Sequence, residues 1–347
     1  MRAFKFTPLL KSMIWGGNRI ASYKGIAVDR SDIGESWELS GVKGDESVVA
    51  EGEYAGMTLP ELIGQLKGEL VGHAVYERHG TEFPLLVKFI DARQDLSIQV
   101  HPNDVLARMR HGKNGKTEMW YVVAADRGAH LKSGFSEQLT PAEYERKVAD
   151  HTLTDALCDY SVAAGDLFFL PAGRVHAICA GTFVAEIQQT SDVTYRIYDY
   201  GRTGADGKPR ELHTELAKDA IDYTVLPDYR SHYVAAKNRE VPLVSCPYFV
   251  TSLYDLDRAF VRDLSELDSF LIVMCLEGSG ALCDDEGNEM PIRQGETLLV
   301  PASARLLRLL PDEHLKLLTG HLWISEKESS SQRFCLRRDL PEPRLLP

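Results

Sequence analysis

Alternation of apolar and polar residues predicts β-strands in the segment 96–120 of this 347-residue chain. Successive side chains of a strand point to opposite faces of its sheet. One face of the first predicted strand is apolar and carries Leu96, Ile98 and Val100. The other face is polar and carries Ser97, Gln99 and His101. The next predicted strand repeats the polar face at Lys116 and Glu118. A polar row with metal-binding residue types indicates a site inside a β-barrel, since a solvent-facing strand usually carries Lys, Thr or Glu.

The segment 165–176 is typical of a turn, a buried strand, a second turn and a further strand that begins at His176. It recurs at 295–306, where the first glycine, the proline and the apolar run between them coincide, but Leu306 stands in the place of His176. This recurrence indicates an internal repeat of one β-barrel unit, whose second copy lacks the metal-binding residue.

Two helical segments interrupt the predicted strands. A capping box at 58–61 precedes apolar residues with helical spacing that continue to about Arg78. A second capping box at 140–143 has proline at the first helical position. The chain is therefore predicted to be mostly β, with helical insertions near 58–80 and 136–158.

Composition limits the kinds of partner. The formal net charge of -12 disfavours nucleic acid and anionic membranes. No apolar run reaches the roughly 18 residues of a membrane span, and the N-terminal segment has no signal-peptide core. The six cysteines are scattered without a Cys-x-x-Cys pair, which favours free thiols in a reducing cytoplasm.

Two residues allow more than one interpretation. Lys88 interrupts the apolar run 85–90 and either reaches solvent or faces a polar cavity, since lysine is rarely buried without a partner. Trp15 precedes two glycines, and this segment is either a tight turn with a packed indole or a loop whose backbone approaches a ligand. The sequence leaves both questions open.

Four residues offer nitrogen and oxygen ligands of the kind that bind Zn²⁺ and, less selectively, Fe²⁺, Mn²⁺ or Co²⁺. They are Gln99, His101, Glu118 and His176. Two imidazoles and a carboxylate leave room for water or substrate, as catalytic metal sites require, and Gln99 would be the weakest ligand. A lone histidine is more often a core or surface residue, so the prediction depends on the combination.

Cations near this set suit an anionic, oxygen-rich ligand such as a sugar phosphate. They are Lys88, Lys116, Arg196 and Arg202. Each of them alone is more commonly a surface charge. Arg196 stays charged at any working pH and is suited to stabilise a developing enediolate oxygen. Glu186 could move a proton, provided that burial raises its pKa towards neutrality.

These motifs resemble those of class I mannose-6-phosphate isomerases (phosphomannose isomerases) of the shorter bacterial type, which have a tandem cupin scaffold. The segment 165–176 fits the second cupin motif of glycine, five residues, proline, one residue, glycine, two residues and histidine. Gln99-Val100-His101 is similar to the isomerase variant of the first cupin motif. Lys116-Thr117-Glu118-Met119 resembles the isomerase signature, and the resemblance covers most of residues 1–320.

The resemblance implies roles for these residues. The residues that correspond to ligands of one zinc ion per chain are Gln99, His101, Glu118 and His176. Arg196 matches an active-site arginine, and Glu186 matches a carboxylate proposed as the base. We predict catalytic roles for Arg196, Glu186 and Lys116. We predict substrate-binding roles for Ser97, Lys88 and Trp15.

The resemblance further implies metal-dependent interconversion of mannose 6-phosphate and fructose 6-phosphate through a cis-enediol intermediate. We expect a catalytic cupin domain over 1–235, a degenerate second cupin barrel over 236–325 and a C-terminal tail over 326–347. Longer members carry a larger helical domain where this chain has a modest insertion at about 135–160. We also expect a cytoplasmic monomer or weak homodimer that binds neither nucleic acid nor membrane.

Other functions remain open from the sequence. A non-catalytic, sugar-binding or sugar-sensing cupin with a structural metal would not need Arg196 and Glu186 for ligand binding. An isomerase of another sugar phosphate or a cupin oxygenase would share the fold. An oxygenase typically uses three histidines on Fe²⁺, or two with a carboxylate facing an open O₂ position, and Gln99 with its neighbouring cations fits that less well.

Overall fold

The computed structural model describes residues 2–204 and 207–322, so the predicted tail 326–347 lies outside the described residues. A 3-10 helix spans Leu153–Ala156. The α-helices are α1 (Arg19–Lys24), α2 (Leu59–Leu66), α3 (Gly68–Val71), α4 (His73–His79), α5 (Asp104–His111), α6 (Pro141–Ala149) and α7 (Thr214–Ala220).

Strands dominate the described residues and form antiparallel sheets, which confirms the prediction of a mostly β protein. In chain order they are β1 (Phe4–Thr7), β2 (Leu9–Gly17), β3 (Ile33–Leu39), β4 (Val48–Val49), β5 (Leu85–Ala92), β6 (Ile98–Val100), β7 (Glu118–Ala125), β8 (His130–Phe135), β9 (Leu157–Ser161), β10 (Leu167–Leu170), β11 (His176–Ile178), β12 (Thr182–Gln189), β13 (Tyr195–Tyr198), β14 (Arg230–Ser231), β15 (Glu240–Ser245), β16 (Val250–Leu256), β17 (Phe260–Asp263), β18 (Leu271–Asp284), β19 (Glu289–Arg293), β20 (Thr297–Val300) and β21 (Leu306–His321).

Two of the sheets enclose the first unit. A seven-stranded sheet has the order β14-β10-β7-β12-β5-β2-β3, and a five-stranded sheet has the order β13-β6-β11-β8-β9. They face each other, because Trp120 of β7 packs in one apolar cluster with Leu131 of β8 and Ile178 of β11. The two sheets stay separate hydrogen-bonded ladders rather than one closed cylinder.

A nine-stranded sheet forms the second unit and includes strands β1 and β4 from the start of the chain. Its path is β15-β16-β21-β18-β20-β1-β4, with β17 on β21 and β19 on β18. Phe4 of β1 lies opposite Leu299 of β20, so the N-terminal strand completes the C-terminal sheet. A buried ion pair adds to this junction, since Lys24 Nζ lies 2.7 Å from Glu38 Oε1 and also donates to the Gly295 carbonyl oxygen.

The internal repeat is confirmed by its backbone. Gly165 and Gly295 have φ of 94° and 82°, in the left-handed region that favours glycine, and each precedes a short buried strand. After the next turn, β11 begins at His176 and β21 begins at Leu306. The two copies therefore share the turn–strand–turn frame and differ at the residue that enters the following strand.

Both predicted capping boxes are confirmed. The side chain of Thr58 caps α2 and that of Thr140 caps α6, each with the reciprocal glutamate contact. The predicted helix up to Arg78 is instead three short helices, because Lys67 (φ 52°) and Gly72 (φ 98°) have positive φ and end α2 and α3.

The predicted apolar row is confirmed at Ile98 and Val100 but wrong at Leu96. The strand β6 begins at Ile98, so the alternation does not extend back to Leu96. Leu96 packs with Trp15 and Trp120 between the sheets, whereas Ile98 and Val100 pack in another cluster with Leu139 and Tyr144, and with Ala217 of α7.

None of the helices within 2–204 and 207–322 combines the length and the apolar character needed to cross a bilayer. The cysteines of this part of the chain are free thiols, and most of them are buried. Cys335 lies outside the described residues.

Gly278 offers a test of the pairing between β18 and β21. Its φ is +78°, and a Cβ there would lie 1.9 Å from the carbonyl oxygen of His314. Gly287 also has positive φ, but nothing lies within 4 Å of its Cβ position. We expect Gly287→Ala to lower the free energy of unfolding by about 1 kcal/mol through backbone strain alone, and Gly278→Ala by about 3 kcal/mol because the backbone must also move. Equal denaturation midpoints of the two variants would contradict this assignment.

Candidate metal centre and active site

The two facing sheets bring the predicted site residues together. On the five-stranded sheet, Gln99 lies opposite His176 on one side and Arg196 on the other. Cross-strand neighbours share a face of the sheet, so this register makes a polar row. His101 follows directly after β6 and is 2% exposed. The predicted polar row of Ser97, Gln99 and His101 is confirmed as a group, although only Gln99 lies within the strand.

On the seven-stranded sheet, a second polar row faces the first. Glu186 of β12 lies opposite Lys88 of β5 and Trp120 of β7. Glu118 stands two residues before Trp120 on β7 and therefore shares its face. Lys116 lies just before β7 and is also buried.

Backbone carbonyls orient both histidines. The Nδ1–H of His101 donates to the carbonyl oxygen of Val193 at 3.0 Å, and the Nδ1–H of His176 donates to that of Arg174 at 2.8 Å. A carbonyl oxygen can only accept, so each Nδ1 carries the hydrogen and each Nε2 presents a lone pair to the site. This is the usual second-sphere arrangement of metal-binding histidines.

Glu118 lies between the two imidazoles and is fully buried. Its Oε1 is 3.3 Å from His176 Nε2, and its Oε2 is 3.5 Å from His101 Nε2. One ligand atom from each of the three residues can be chosen so that all lie within 4.8 Å of one another. Zinc bonds to nitrogen and oxygen are about 2.0–2.2 Å long, so small shifts of these side chains bring all three to one ion. Apart from the ion pair of Oε2 with Lys116, neither carboxylate oxygen has a hydrogen-bond partner among the residues that the structure describes. The three residues therefore fit a divalent metal ion.

Gln99 and Ser97 lie beside these three residues. Gln99 Nε2 is 3.4 Å from His176 Nε2, and Ser97 Oγ donates to Gln99 Oε1 at 3.4 Å. A turn of the amide group by 180° would direct Oε1, the atom that a metal accepts, towards His176. Gln99 thus lies next to His176, beside the group of three residues.

Lys116 contacts the same group of ligands. Its Nζ lies 2.8 Å from Glu118 Oε2 and 3.2 Å from His101 Nε2. An ammonium at this position opposes protonation of the imidazole. Burial, then Lys116 and His176, hold the pKa of His101 well below its usual range.

Burial likewise governs the protonation of the other two residues. It lowers the pKa of His176 to about 3. It raises the pKa of Glu118 to about 7, against the attraction of Lys116. Both imidazoles are therefore neutral near neutral pH, which metal binding requires, and a metal cation would favour the ionised form of Glu118.

The structure answers the question about Lys88. Its side chain is buried against carboxylates, with Nζ 3.3 Å from Glu186 Oε2 and 3.5 Å from Glu35 Oε2. Burial lowers the pKa of Lys88, but Glu35, Glu186 and Glu118 outweigh that effect and raise it. Lys88 thus faces a polar interior rather than solvent.

The role of a base would require the pKa of Glu186 to be raised towards neutrality, and the surrounding side chains do not raise it. Burial raises its pKa, but the attraction of Lys88 and Lys116, with a hydrogen bond from Trp120, lowers it to about 2. The pKa shift is therefore opposite to the one that the role of Glu186 as a base was said to require. Glu186 is ionised, and its negative charge is held by Lys88.

The arginines occupy the edge of the site. The Arg196 guanidinium donates to the carbonyl oxygen of Glu211 at 2.9 Å, and its Nε has no partner among the described residues. Arg202 donates to the carbonyl oxygen of Asp95 at 2.5 Å and pairs with Asp199, so it holds the loop after β13 in place. Arg196 of β13 is the cross-strand neighbour of Gln99 of β6. Arg202 instead forms its contacts with Asp95 and Asp199.

Trp15 packs between the sheets. Its indole is 5% exposed and belongs to the apolar cluster that also contains Trp120. The carbonyl oxygen of Trp15 accepts hydrogen bonds from the backbone N–H groups of Arg93 and Gln94, which fixes the glycine-containing segment.

One cavity of the described part of the chain is lined by loop residues rather than by the metal ligands. Its volume is about 660 Å³, and residues of several loops line it, including Arg78, Arg108, Asn114, Ser191 and Tyr248. None of the three proposed metal ligands lines it. Ser191 of this lining is linked to His101 through the backbone, because the Val193 carbonyl oxygen that accepts the His101 Nδ1–H lies two residues after Ser191.

Sequence reasoning missed Glu35, Trp37 and Trp120 as part of this site. Trp120 donates its indole N–H to Glu186 Oε1 at 2.9 Å, and Trp37 donates to Glu35 Oε2 at 2.5 Å. Strand geometry places Glu35 and Trp37 on one face of β3, but only the pairing of β3 with β5 shows that this face meets Lys88.

Two metal-capable imidazoles and a carboxylate between facing β-sheets define a metal-binding cupin-type site. Comparisons with known proteins show which family has such a site. Residues 3–124 match the family model described as phosphomannose isomerase type I, catalytic domain, and residues 239–309 match mannose-6-phosphate isomerase, cupin domain. The predicted cupin fold is confirmed by these matches.

Relatives cover most of the chain. Mannose-6-phosphate isomerase ManA of Bacillus subtilis is 35% identical over 299 residues, which cover 85% of this chain and 92% of the relative. The mannose-6-phosphate isomerase of Streptococcus mutans is 32% identical and covers 89% of this chain and 94% of its own. The crystal structure of a Bacillus subtilis mannose 6-phosphate isomerase has a TM-score of 0.83 at 30% identity, over 93% of this chain and 100% of that one. The chain therefore belongs to the mannose-6-phosphate isomerase family.

Removal of a ligand tests the metal centre. We expect the purified protein to bind about one divalent ion per chain and His176→Ala to lose it, because one imidazole Nε2 disappears from the set. His232→Ala is the matched control, since His232 is exposed and pairs with Asp228. Elemental analysis after gel filtration measures the ion, and retention of a full equivalent by His176→Ala would refute its role as a ligand.

Proposed function

We propose that this protein interconverts mannose 6-phosphate and fructose 6-phosphate. Membership of the family makes this the leading reaction, and the buried group of His101, Glu118 and His176 with Lys88 and Lys116 is the observation that carries it. Charged groups are rarely buried together without a role, since removing them from water is costly.

We propose zinc as the metal, held by His101, Glu118 and His176 with Gln99 as a fourth ligand. Nitrogen and oxygen donors at these spacings suit Zn²⁺, and a position remains for water or substrate when Gln99 binds weakly. A zinc ion bound there supplies positive charge and Lewis-acid polarisation of a substrate oxygen.

The charges of the site suit an anionic sugar. The carboxylates Glu35, Glu118 and Glu186 carry one negative charge more than Lys88 and Lys116 balance. A divalent cation changes that excess of one negative charge into one positive charge, and Arg196 at the edge adds another. A sugar phosphate therefore meets a net positive field in a low-dielectric interior.

In the proposed reaction, a base removes the proton from C2 of the open-chain aldose, and the electrons of that C–H bond form the C1–C2 double bond. The carbonyl oxygen at C1 takes up a proton, which gives a cis-enediol. Return of a proton to C1 and loss of the O2 proton then give the ketose. The same steps in reverse convert the ketose to the aldose.

We propose Glu186 as the base, under the control of Lys88. The attraction of Lys88 is the principal effect that opposes burial at Glu186 and lowers its pKa. When Lys88 turns to an anionic substrate, that attraction weakens, and burial then makes Glu186 a stronger base. Substrate binding and base activation are thereby linked through one ammonium group.

The remaining residues stabilise and orient the substrate. Arg196 and Lys116 provide fixed positive charge for the enediolate oxygens as charge develops on them. Ser97 offers a hydroxyl beside Gln99, and Trp15 gives an apolar wall between the sheets. We propose the same division of the chain as above, with a catalytic unit over 1–235 and a degenerate one over 236–325, in a cytoplasmic monomer or weak homodimer that binds no nucleic acid or membrane.

A coupled assay tests the reaction directly. We expect zinc-loaded protein to convert mannose 6-phosphate to fructose 6-phosphate, followed by glucose-6-phosphate formation and NADP reduction with auxiliary enzymes. Binding of either sugar phosphate by calorimetry without turnover would instead favour a sugar-binding cupin. A preference for another hexose phosphate in a small panel would overturn the assigned substrate.

Lys116→Met tests the catalytic charge separately from the metal. We expect kcat to fall by at least about 100-fold, as for the loss of one transition-state charge contact, while the metal content stays at the wild-type level. Lys132→Met is the control, because Lys132 lies on β8 and pairs with the exposed side of Asp159. If Lys116→Met retains kcat, Lys116 is not part of the machinery.

A further inference from the structure

Lys88 is shared between two buried carboxylates that lie on different strands. Its Nζ is 3.3 Å from Glu186 Oε2 on β12 and 3.5 Å from Glu35 Oε2 on β3. All three side chains are nearly inaccessible to solvent. The near-equal distances show that Lys88 forms ion pairs with both carboxylates rather than with Glu186 alone.

Each carboxylate is in turn oriented by an indole. Trp120 donates to Glu186 Oε1 at 2.9 Å, and Trp37 donates to Glu35 Oε2 at 2.5 Å. Trp37 lies opposite Lys88 in the pairing of β3 with β5, and its ring centroid is 5.2 Å from Lys88 Nζ. Trp37 therefore fixes Glu35 and flanks the ammonium group that Glu35 attracts.

Glu35 contacts the proposed catalytic groups through Lys88. Its other polar contact in the described residues is the one with Trp37. A carboxylate buried for stability alone would be better replaced by an apolar residue, because desolvation costs as much as such a pair gains. The geometry fits a second task, which is to compete with Glu186 for the ammonium group.

We propose that Glu35, fixed by Trp37, is a positioning residue that draws the ammonium group of Lys88 away from Glu186 and towards the substrate. This inference rests on the proposed isomerase reaction, in which Lys88 binds the anionic substrate and Glu186 accepts the proton. Without the charge of Glu35, Lys88 pairs with Glu186 alone. Substrate then has to break a tighter ion pair before Glu186 is available.

Glu35→Gln tests this role, because glutamine still accepts the indole N–H but carries no charge. We expect kcat/KM for mannose 6-phosphate to fall about 10- to 100-fold, with both a higher KM and a lower kcat, and with unchanged metal content. Glu35→Asp keeps the charge and should recover part of the loss. Trp37→Phe keeps the charge of Glu35 but removes the indole N–H that orients its carboxylate. We expect an intermediate loss of kcat/KM for this variant.

The decisive measurement is a double-mutant cycle with Lys88→Met. If Glu35 acts through Lys88, Glu35→Gln has no further effect on kcat/KM in the Lys88→Met background. Additive losses in kcat/KM would show that Glu35 acts by another route and would overturn the proposal. Wild-type activity of Glu35→Gln would also overturn it.

Glu38→Gln provides the matched control on the same strand. Glu38 is also buried and pairs with a buried lysine, Lys24, but this pair lies at the junction with the second unit. We expect Glu38→Gln to lower the melting temperature and to leave kcat and KM of the folded protein unchanged.

The proposed function and the role of Glu35 can fail separately. A wild-type protein without isomerase activity would refute the proposed function itself. An active wild-type protein together with a fully active Glu35→Gln variant would refute only the role of Glu35.

Discussion

The burial of charge between two β-sheets is the constraint on which this structure depends. Glu118 has no accessible surface, and an isolated carboxylate in such a place would be protonated or would destabilise the fold. Lys116 lies against it, and two neutral imidazoles flank it. Lys88 similarly lies between Glu35 and Glu186. The interior is stable because every charge is placed next to an opposite one, and a metal ion would complete the set.

This compensation requires accurate placement, and the backbone provides it. The carbonyl oxygens of Val193 and Arg174 fix the two imidazole rings. Val193 is itself held by Ser191, whose hydroxyl accepts its N–H at 3.3 Å and donates to the Asn114 carbonyl oxygen at 2.7 Å. The loops around the sheet ends thus orient the ligands, and a ring that cannot rotate presents Nε2 to the site without further loss of entropy.

The second unit shows that the turn-and-strand frame also forms around an apolar interior. Its turn at Gly295 and strand β20 repeat the frame of the first unit, yet its interior is an apolar cluster that includes Leu298, Val300 and Leu307. Apolar packing stabilises that unit, and Leu306 stands there in the place of His176. Its contribution to the first unit is structural, through β1 and through the contact of Lys24 with Gly295.

The sequence by itself determined the features that depend on local order along the chain. Period-two alternation placed Gln99 and Glu118 on inward faces, glycine and proline spacing located His176, and the capping boxes located α2 and α6, because each signal acts over a few residues. The tertiary structure decided what depends on pairing between distant strands. Only the register of β3, β5 and β12 brings Glu35 and Glu186 to Lys88. Only the nearby charges of Lys88 and Lys116, with a hydrogen bond from Trp120, set the pKa of Glu186 below rather than above its usual value. Electrostatic energy depends on distance in space, which residue order does not specify.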